Sequence, residues 1–493
     1  MEFVEKVRSF SADNGIFDGR SLIVGCSGGA DSVALLRVLP LITSSDIYVV
    51  HVNHCLREDA DRDQRFVEEL CESLDIPCKV FKFNVSKESK TRSRSIEDTG
   101  RILRYEAFES CASELFGDEK DQKSVICLAH HKDDLSETML MNVFRGSGLE
   151  GLLSPRAVSD RVIRPFLCVS KKEILEYLDS LGQPHCEDVT NQENCCTRNI
   201  WRNKILPEIS DVSVKEPSEA LFETYRLLSD DMDLIDGLVA EKLENCLDRK
   251  HFVLDISVFE GCHKAISTRL IRALWKETFG DLVDFEQKHV QSVLELCTDN
   301  GPSGRSIDLP FSRKAFVTGG FLGFCKAAEL QDGLKRAVMA SGLLVFDEKT
   351  ELTRIADTKN TTILPKSFIK INYEIVENIE AIRYNTNSWF CPFFSSDLLE
   401  EISIGPIDRN MTFKRAGTDL TTKVDKLLGS YKVPGAVKDL ILGVVKGDEV
   451  LWIPGVGHAN GFTDNISRDK FLEDAADKGK TKYLVIRLTE VEA

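Results

Sequence analysis

The chain has no net positive charge to offer a polyanion. It is 493 residues long, with 63 basic against 80 acidic side chains, a formal −17. A whole-chain electrostatic footprint for nucleic acid is therefore missing, although a local patch can bind one while the rest keeps the protein dispersed. Long apolar runs are missing too. No stretch approaches the about 18 residues of a membrane span, and Met1-Glu2-Phe3-Val4-Glu5-Lys6 carries no apolar signal core. A cytoplasmic protein without membrane contact is expected. No CxxC pair occurs among the 15 Cys. Scattered thiols in a chain too long to need staples fit a reducing compartment. The Walker pattern GxxxxGK[ST] is absent, because Gly479-Lys480-Thr481 lacks the upstream glycine. The zinc pattern HExxH and internal repeats are absent as well.

What remains is an ordinary globular composition, 42% hydrophobic and 29% charged. The length accommodates two to four domains at about 100–200 residues each. Apolar runs at Ser21–Cys26, Ile47–His54, Cys78–Val85 and Ser124–His130 read as strands. Amphipathic segments at Asp31–Leu39, Ala60–Asp75, Ser95–Leu115 and about Asp133–Phe144 read as the helices between them. That alternation predicts an α/β fold built on a doubly wound parallel sheet, with ligands at the carboxyl ends of its strands. A Gly-rich turn region covers 146–155, and Ser170–Leu181 reads as helix. A linker starts at Lys215-Glu216-Pro217, and Ala220–Cys246 is a long helical pattern. Strand-like pieces follow at Ser306–Leu309 and Ala315–Cys325. Residues 330–400 show no clear pattern. From Ile407 a small β-rich domain is expected, with strands at Val450–Pro454 and Tyr483–Leu488.

The strongest local signal is Ser27-Gly28-Gly29-Ala30-Asp31-Ser32, between the first strand and the first following helix. Two glycines let backbone turn tightly against a ligand, and a helix start offers free N–H groups to a phosphate. Asp31 suits a phosphate only through an intervening Mg²⁺. An ordinary βα turn with Asp31 and Ser32 as caps is the plainer reading. The full string resembles the pyrophosphate loop of the N-type ATP pyrophosphatases, which split ATP to AMP and pyrophosphate through an adenylated substrate.

Five further strings are similar to those of the tRNA(Ile)-lysidine synthetases within that superfamily. His51-Val52-Asn53-His54-Cys55-Leu56-Arg57 looks like HVNHxLR. Glu97, Arg101 and Arg104 share one helix face. Ala129-His130-His131-Lys132-Asp133-Asp134, running on to Glu137-Thr138, looks like AHHxDDxxET, and continues into Arg145-Gly146-Ser147-Gly148. Arg164-Pro165-Phe166, Glu187–Asn191 and the Arg198-Asn199/Arg202-Asn203 pair follow. Last come Lys414–Asp419, Lys426-Leu427-Leu428 and Val433-Pro434, in a window from Arg409 to Lys446 with eight basic and three acidic residues, +5 within a −17 chain.

The resemblance implies three parts: an ATP-binding catalytic domain at 1–215, a helical connector and middle tRNA-recognition domain at 216–400, and a small α+β tRNA-binding domain at 401–493. It implies ATP and Mg²⁺ as cofactors, the CAU-anticodon isoleucine tRNA and free L-lysine as partners, and lysidine as product. ATP would sit on Ser27, Gly28, Gly29, Ala30, Asp31, Ser32, His51 and Asn53. Mg²⁺ would sit on Asp31. Catalysis would fall to Asp31, Asp134, Glu137, Arg101 and Arg104. The tRNA would meet His130, His131, Arg145, Arg198, Arg202, Lys414, Arg415 and Lys426. A tRNA thiolase on the same fold, or a tRNA-binding protein with a relic loop, are the alternatives, and the sequence leaves a homodimer open.

Overall fold

The computed structural model describes residues 2–56, 59–186, 197–298, 303–358, 361–364, 369–376, 393–415, 420–459 and 482–490. Arg57, the 187–191 string and residues 416–419 lie outside the described residues. The chain divides into two compact units, Met1–Leu234 and Ile235–Ala493. Among the described residues no helix is long and apolar enough to cross a membrane.

The first unit begins with helix α1 (Glu2–Asp13) and then winds a six-stranded sheet. Its order is β1 (Ser21–Gly25), α2 (Ala30–Ile42), β2 (Ile47–Asn53), α3 (Ala60–Ser73), β3 (Cys78–Lys82), α4 (Val85–Arg92), α5 (Ile96–Phe116), β4 (Ser124–Cys127) and α6 (Lys132–Phe144). Short strands β5 (Val158–Ser159) and β6 (Val162–Ile163) and helix α7 (Lys171–Ser180) complete it. Sheet order is β3-β2-β1-β4-β6-β5, parallel except for β5 against β6.

The continuous apolar run of β1 follows from burial on both faces. Leu22 and Val24 pack with α2 and α3 residues such as Val33, Leu36, Val67 and Leu70. Ile23 points the other way, into a cluster with Ala107, Phe108 and Ala112 of α5. The order of strand addition reverses between β1 and β4, which run parallel, so the crevice at their carboxyl ends is open to a ligand.

Two helix starts are fixed by capping. Ser95 Oγ accepts from the Asp98 N–H at the head of α5. Ser170 and Glu173 form a reciprocal capping box on α7. The sequence reading ran the third strand to Val85 and missed α4. That helix reads VSKESKTR, with no apolar stripe to reveal it, and is started by Asn84, whose Oδ1 accepts from the Lys87 N–H.

A 30-residue helix, α8 (Pro217–Cys246), carries the boundary between the units. The second unit opens with a five-stranded antiparallel sheet covered by α9 (Lys264–Phe279) and α10 (Gln287–Thr298). Its core is aromatic, with Trp275 stacked on Phe285 at 4.0 Å. The strand-like run expected at 315–325 is a hairpin, Arg313–Thr318 against Phe321–Lys326, turning at Gly319-Gly320. Seven-stranded and four-stranded sheets follow. Strands on the two sides of residue 400 pair in them, Thr353 opposite Ile404 and Ile369 opposite Glu490.

Candidate active site

The carboxyl ends of β1, β2 and β4 surround a cleft of about 670 Å³. Ser27, Asp31 and Ser32 line it from the loop after β1, His51 and Asn53–Leu56 from the end of β2, His130 and Asp134 after β4, and Arg104 from α5.

The loop after β1 is held by its own atoms. Ser32 Oγ donates to the Gly29 carbonyl at 2.9 Å and accepts from the Ser27 N–H at 3.2 Å. The two serine hydroxyls lie 3.3 Å apart. Gly29 caps α2 with no side-chain acceptor, so the first N–H groups of that helix remain available to an anion. Gly28 has φ +88°, and a Cβ there would meet Cys186 Sγ at 3.2 Å. Gly25 is required for closeness: a Cβ would lie 2.7 Å from Phe108 Cζ. Burial pushes the Cys26 thiol up to about 11, which leaves it a packing group at the foot of the loop.

The histidines divide by role. His51 Nδ1 lies 2.9 Å from the Cys26 carbonyl, which can only accept. Burial lowers its pKa against that bond, so the ring is neutral and its Nε2 is an acceptor. His130 is the opposite tautomer. Arg164 Nε donates to its Nδ1 at 3.2 Å, and burial, with the positive charges of Arg164, Arg198 and Arg104, drives its pKa down to about 4 against the pull of Asp134. Its Nε2 therefore carries the hydrogen and is a donor.

His131 is buried among carboxylates, 3.1 Å from Asp133, 3.5 Å from Asp134 and 3.8 Å from Asp31. Burial alone would lower its pKa; Asp134, Asp133 and Asp31 outweigh that and raise it.

Asp134 and Glu137 stand one turn apart at the head of α6, where both are clamped by arginine. Arg198 Nε donates to Glu137 at 2.6 Å and Arg202 Nε at 2.5 Å, while the Nη2 of each reaches Asp134 at 3.1 Å. Glu137 is fully buried. Burial would raise the Asp134 pKa, but His131, Arg198 and His130, with the His131 N–H, hold it down to about 2. Both arginines come from a helical stretch that spans Thr197–Ile200, a π-turn at Trp201–Ile205, and Leu206–Ser210.

The PP-loop domain family matches residues 1–209. The tRNA(Ile)-lysidine synthase of Caldanaerobacter subterraneus is 29% identical over 99% of this chain and 98% of its own. That of Clostridium perfringens is 30% identical over 92% of this chain and 94% of its own. The chain belongs to the tRNA(Ile)-lysidine synthase family. Bacteroides thetaiotaomicron has a relative of the same name, 38% identical over 49% of this chain and 54% of its own.

Set against that family's motifs, the structure gathers most of the expected residues at the cleft and leaves others away from it. Asn53 lines the cleft, but its amide nitrogen is spent on the first turns of α3, with Nδ2 donating to Asp61 at 3.0 Å and Gln64 at 3.2 Å. Arg101 is exposed one turn from Arg104 and lies over Tyr105 at 5.3 Å. Arg145 is exposed at the far end of α6, about 16 Å along the axis from Asp134 at 1.5 Å per residue. In the second unit, Lys414 ends a short strand, Arg415 pairs in a bridge with Ala459, and Lys426 is exposed on the helix Val424–Ser430.

One residue near the loop was not expected. Lys171 Nζ donates to Asp31 Oδ1 at 2.6 Å, and its N–H to Asp133 at 2.7 Å. Its sequence signal was a cation in the first turn of a helix, the end where the dipole disfavours positive charge.

Proposed function

We propose that the first unit joins lysine to C2 of the wobble cytidine in the CAU-anticodon isoleucine tRNA, with ATP split to AMP and pyrophosphate. The observation that carries this reading is one cleft lined by both the Ser27–Ser32 loop and Asp134. The cytidine C2 oxygen attacks the α-phosphorus, and pyrophosphate leaves. Adenylation makes C2 electrophilic, the lysine ε-amine adds there, and AMP departs with the former C2 oxygen.

ATP phosphates would rest on the N–H groups at the start of α2. His51 Nε2, an acceptor, suits an amino or hydroxyl hydrogen of the nucleoside. His130 Nε2, a donor, suits a cytidine or phosphate oxygen. Arg104, with Arg101 beside it, would offset charge at the α-phosphate. Asp134, held ionised, and Glu137 would draw and orient the lysine ammonium, and Glu137 would take up its proton, since only the neutral amine attacks. They are already balanced by Arg198 and Arg202, so lysine must share or displace those guanidiniums.

Asp31 fits a magnesium ion that arrives with the nucleotide. Its oxygen already attracts an ammonium at 2.6 Å, and Mg²⁺ is commonly held by one or two carboxylates plus substrate phosphates. Bound there, the ion would neutralise charge on the departing pyrophosphate.

The three-part division is retained as part of this proposal, with 1–215 catalytic and 216–400 and 401–493 handling tRNA. The basic 409–446 window supports the last role. Lys426→Glu is expected to weaken tRNA binding several-fold while leaving ATP affinity unchanged, measured by filter binding and nucleotide titration. Unchanged tRNA affinity would remove Lys426 from the contact surface. The reading as a whole is tested by product analysis: AMP and pyrophosphate should accumulate over time only when tRNA and lysine are both present.

A further inference from the structure

At the end of α6 the exposed ring of Phe144 meets the half-buried ring of Trp201, and the chemistry above uses neither. Phe144 is 75% exposed, far more than a lone core-forming residue would be. Its ring lies 5.4 Å from that of Trp201, tilted by 37°. Val143 and Ile200 beside them are 49% and 40% exposed.

The position of the pair is set by the catalytic clamp. Trp201 lies between Arg198 and Arg202, which both grip Glu137. Phe144 is two helical turns beyond Glu137 on the same face of α6, about 10 Å along the axis. The stretches 138–148 and 197–207 contain four basic residues, Arg145, Arg198, Arg202 and Lys204, and no acidic one, within a chain of −17. An exposed ring backed by a half-buried one among cations, next to a site that must receive an unstacked cytidine, matches the chemistry by which proteins hold single-stranded RNA.

We propose that Phe144 and Trp201 form a stacking platform for an unpaired base of the same tRNA loop that delivers the cytidine, with Arg145 and Lys204 meeting its phosphates. The inference rests on the proposed function for the identity of the RNA. The platform fixes the loop on the rim of the cleft, so that the reacting base is presented while its neighbour is held.

The test uses the full chain and an RNA hairpin carrying the CAU anticodon loop. Hairpin addition should quench tryptophan fluorescence in the parent chain, and Trp201→Phe should abolish that quench although Trp275, Trp389 and Trp452 remain. Phe144→Ala should weaken hairpin binding about tenfold with ATP affinity unchanged, and Phe144→Tyr should restore it. Equal hairpin affinity in Phe144→Ala, or a quench that survives Trp201→Phe, overturns the platform. So does a change in sedimentation of Phe144→Ala with unaltered RNA affinity, which would make the pair a contact between copies. Binding and quench are read without lysine, so their failure is separate from failure of lysine transfer in the parent chain.

Discussion

Glu137→Gln is expected to lower lysine transfer to tRNA by about 10²–10⁴-fold, the range lost with a positioned proton acceptor. The same change should also lower stability, because Arg198 and Arg202 then face one carboxylate instead of two. Removing a partner from a buried ion pair costs about 3–5 kcal/mol. Here the guanidinium side chains are 38% and 37% exposed, and water around them keeps the cost at or below about 3 kcal/mol. Single-turnover transfer of pre-adenylated tRNA separates the two effects. The adenylation step should survive in folded Glu137→Gln while the lysine step is lost. Equal loss in both steps would mean that Glu137 only supports the fold.

Asp31→Ala should reduce ATP-dependent incorporation by at least about 10³-fold, because the leaving pyrophosphate loses its charge-neutralising partner. Stability should change little. Asp31 is 32% exposed and its partner Lys171 42%, and exposed ion pairs contribute about 0–1 kcal/mol. Thermal melts with isotope exchange between ATP and pyrophosphate check both halves. Full activity in a folded Asp31→Ala chain would end the metal assignment. The variant also releases Lys171, whose ammonium would otherwise stay fixed at the loop, so Lys171→Ala is the control for that loss.

Much of the first unit was legible because β1 and β4 are apolar runs buried on two faces and α3 carries a clear apolar stripe. The α4 segment was not, since its identity rests on a cap and not on periodicity. Residues 330–400 were opaque for a related reason. Their short strands pair with partners such as Ser403–Pro406 and Tyr483–Glu490, far along the chain. The loop at Ser27–Ser32 and the Asp134/Glu137 pair could be placed from local strings. The partnership of those carboxylates with Arg198 and Arg202 could not, because 61 to 68 residues separate the partners and only the folded sheet brings them together. The resemblance implies tRNA contacts for the two arginines and says nothing of the carboxylates they hold. The tautomers of His51 and His130 were likewise invisible, being set by a carbonyl at Cys26 and a guanidinium at Arg164.

The central claim is that one cleft adenylates a tRNA base and then passes it to lysine. The most direct measurement incubates the purified chain with ATP, radiolabelled lysine and isoleucine tRNA bearing CAU, and counts label in the tRNA. The account predicts ATP-dependent label in that tRNA, at one lysine per molecule, with none in tRNA whose wobble cytidine is replaced by uridine. Binding of tRNA without label, or sulfur incorporation that needs no lysine, would contradict it.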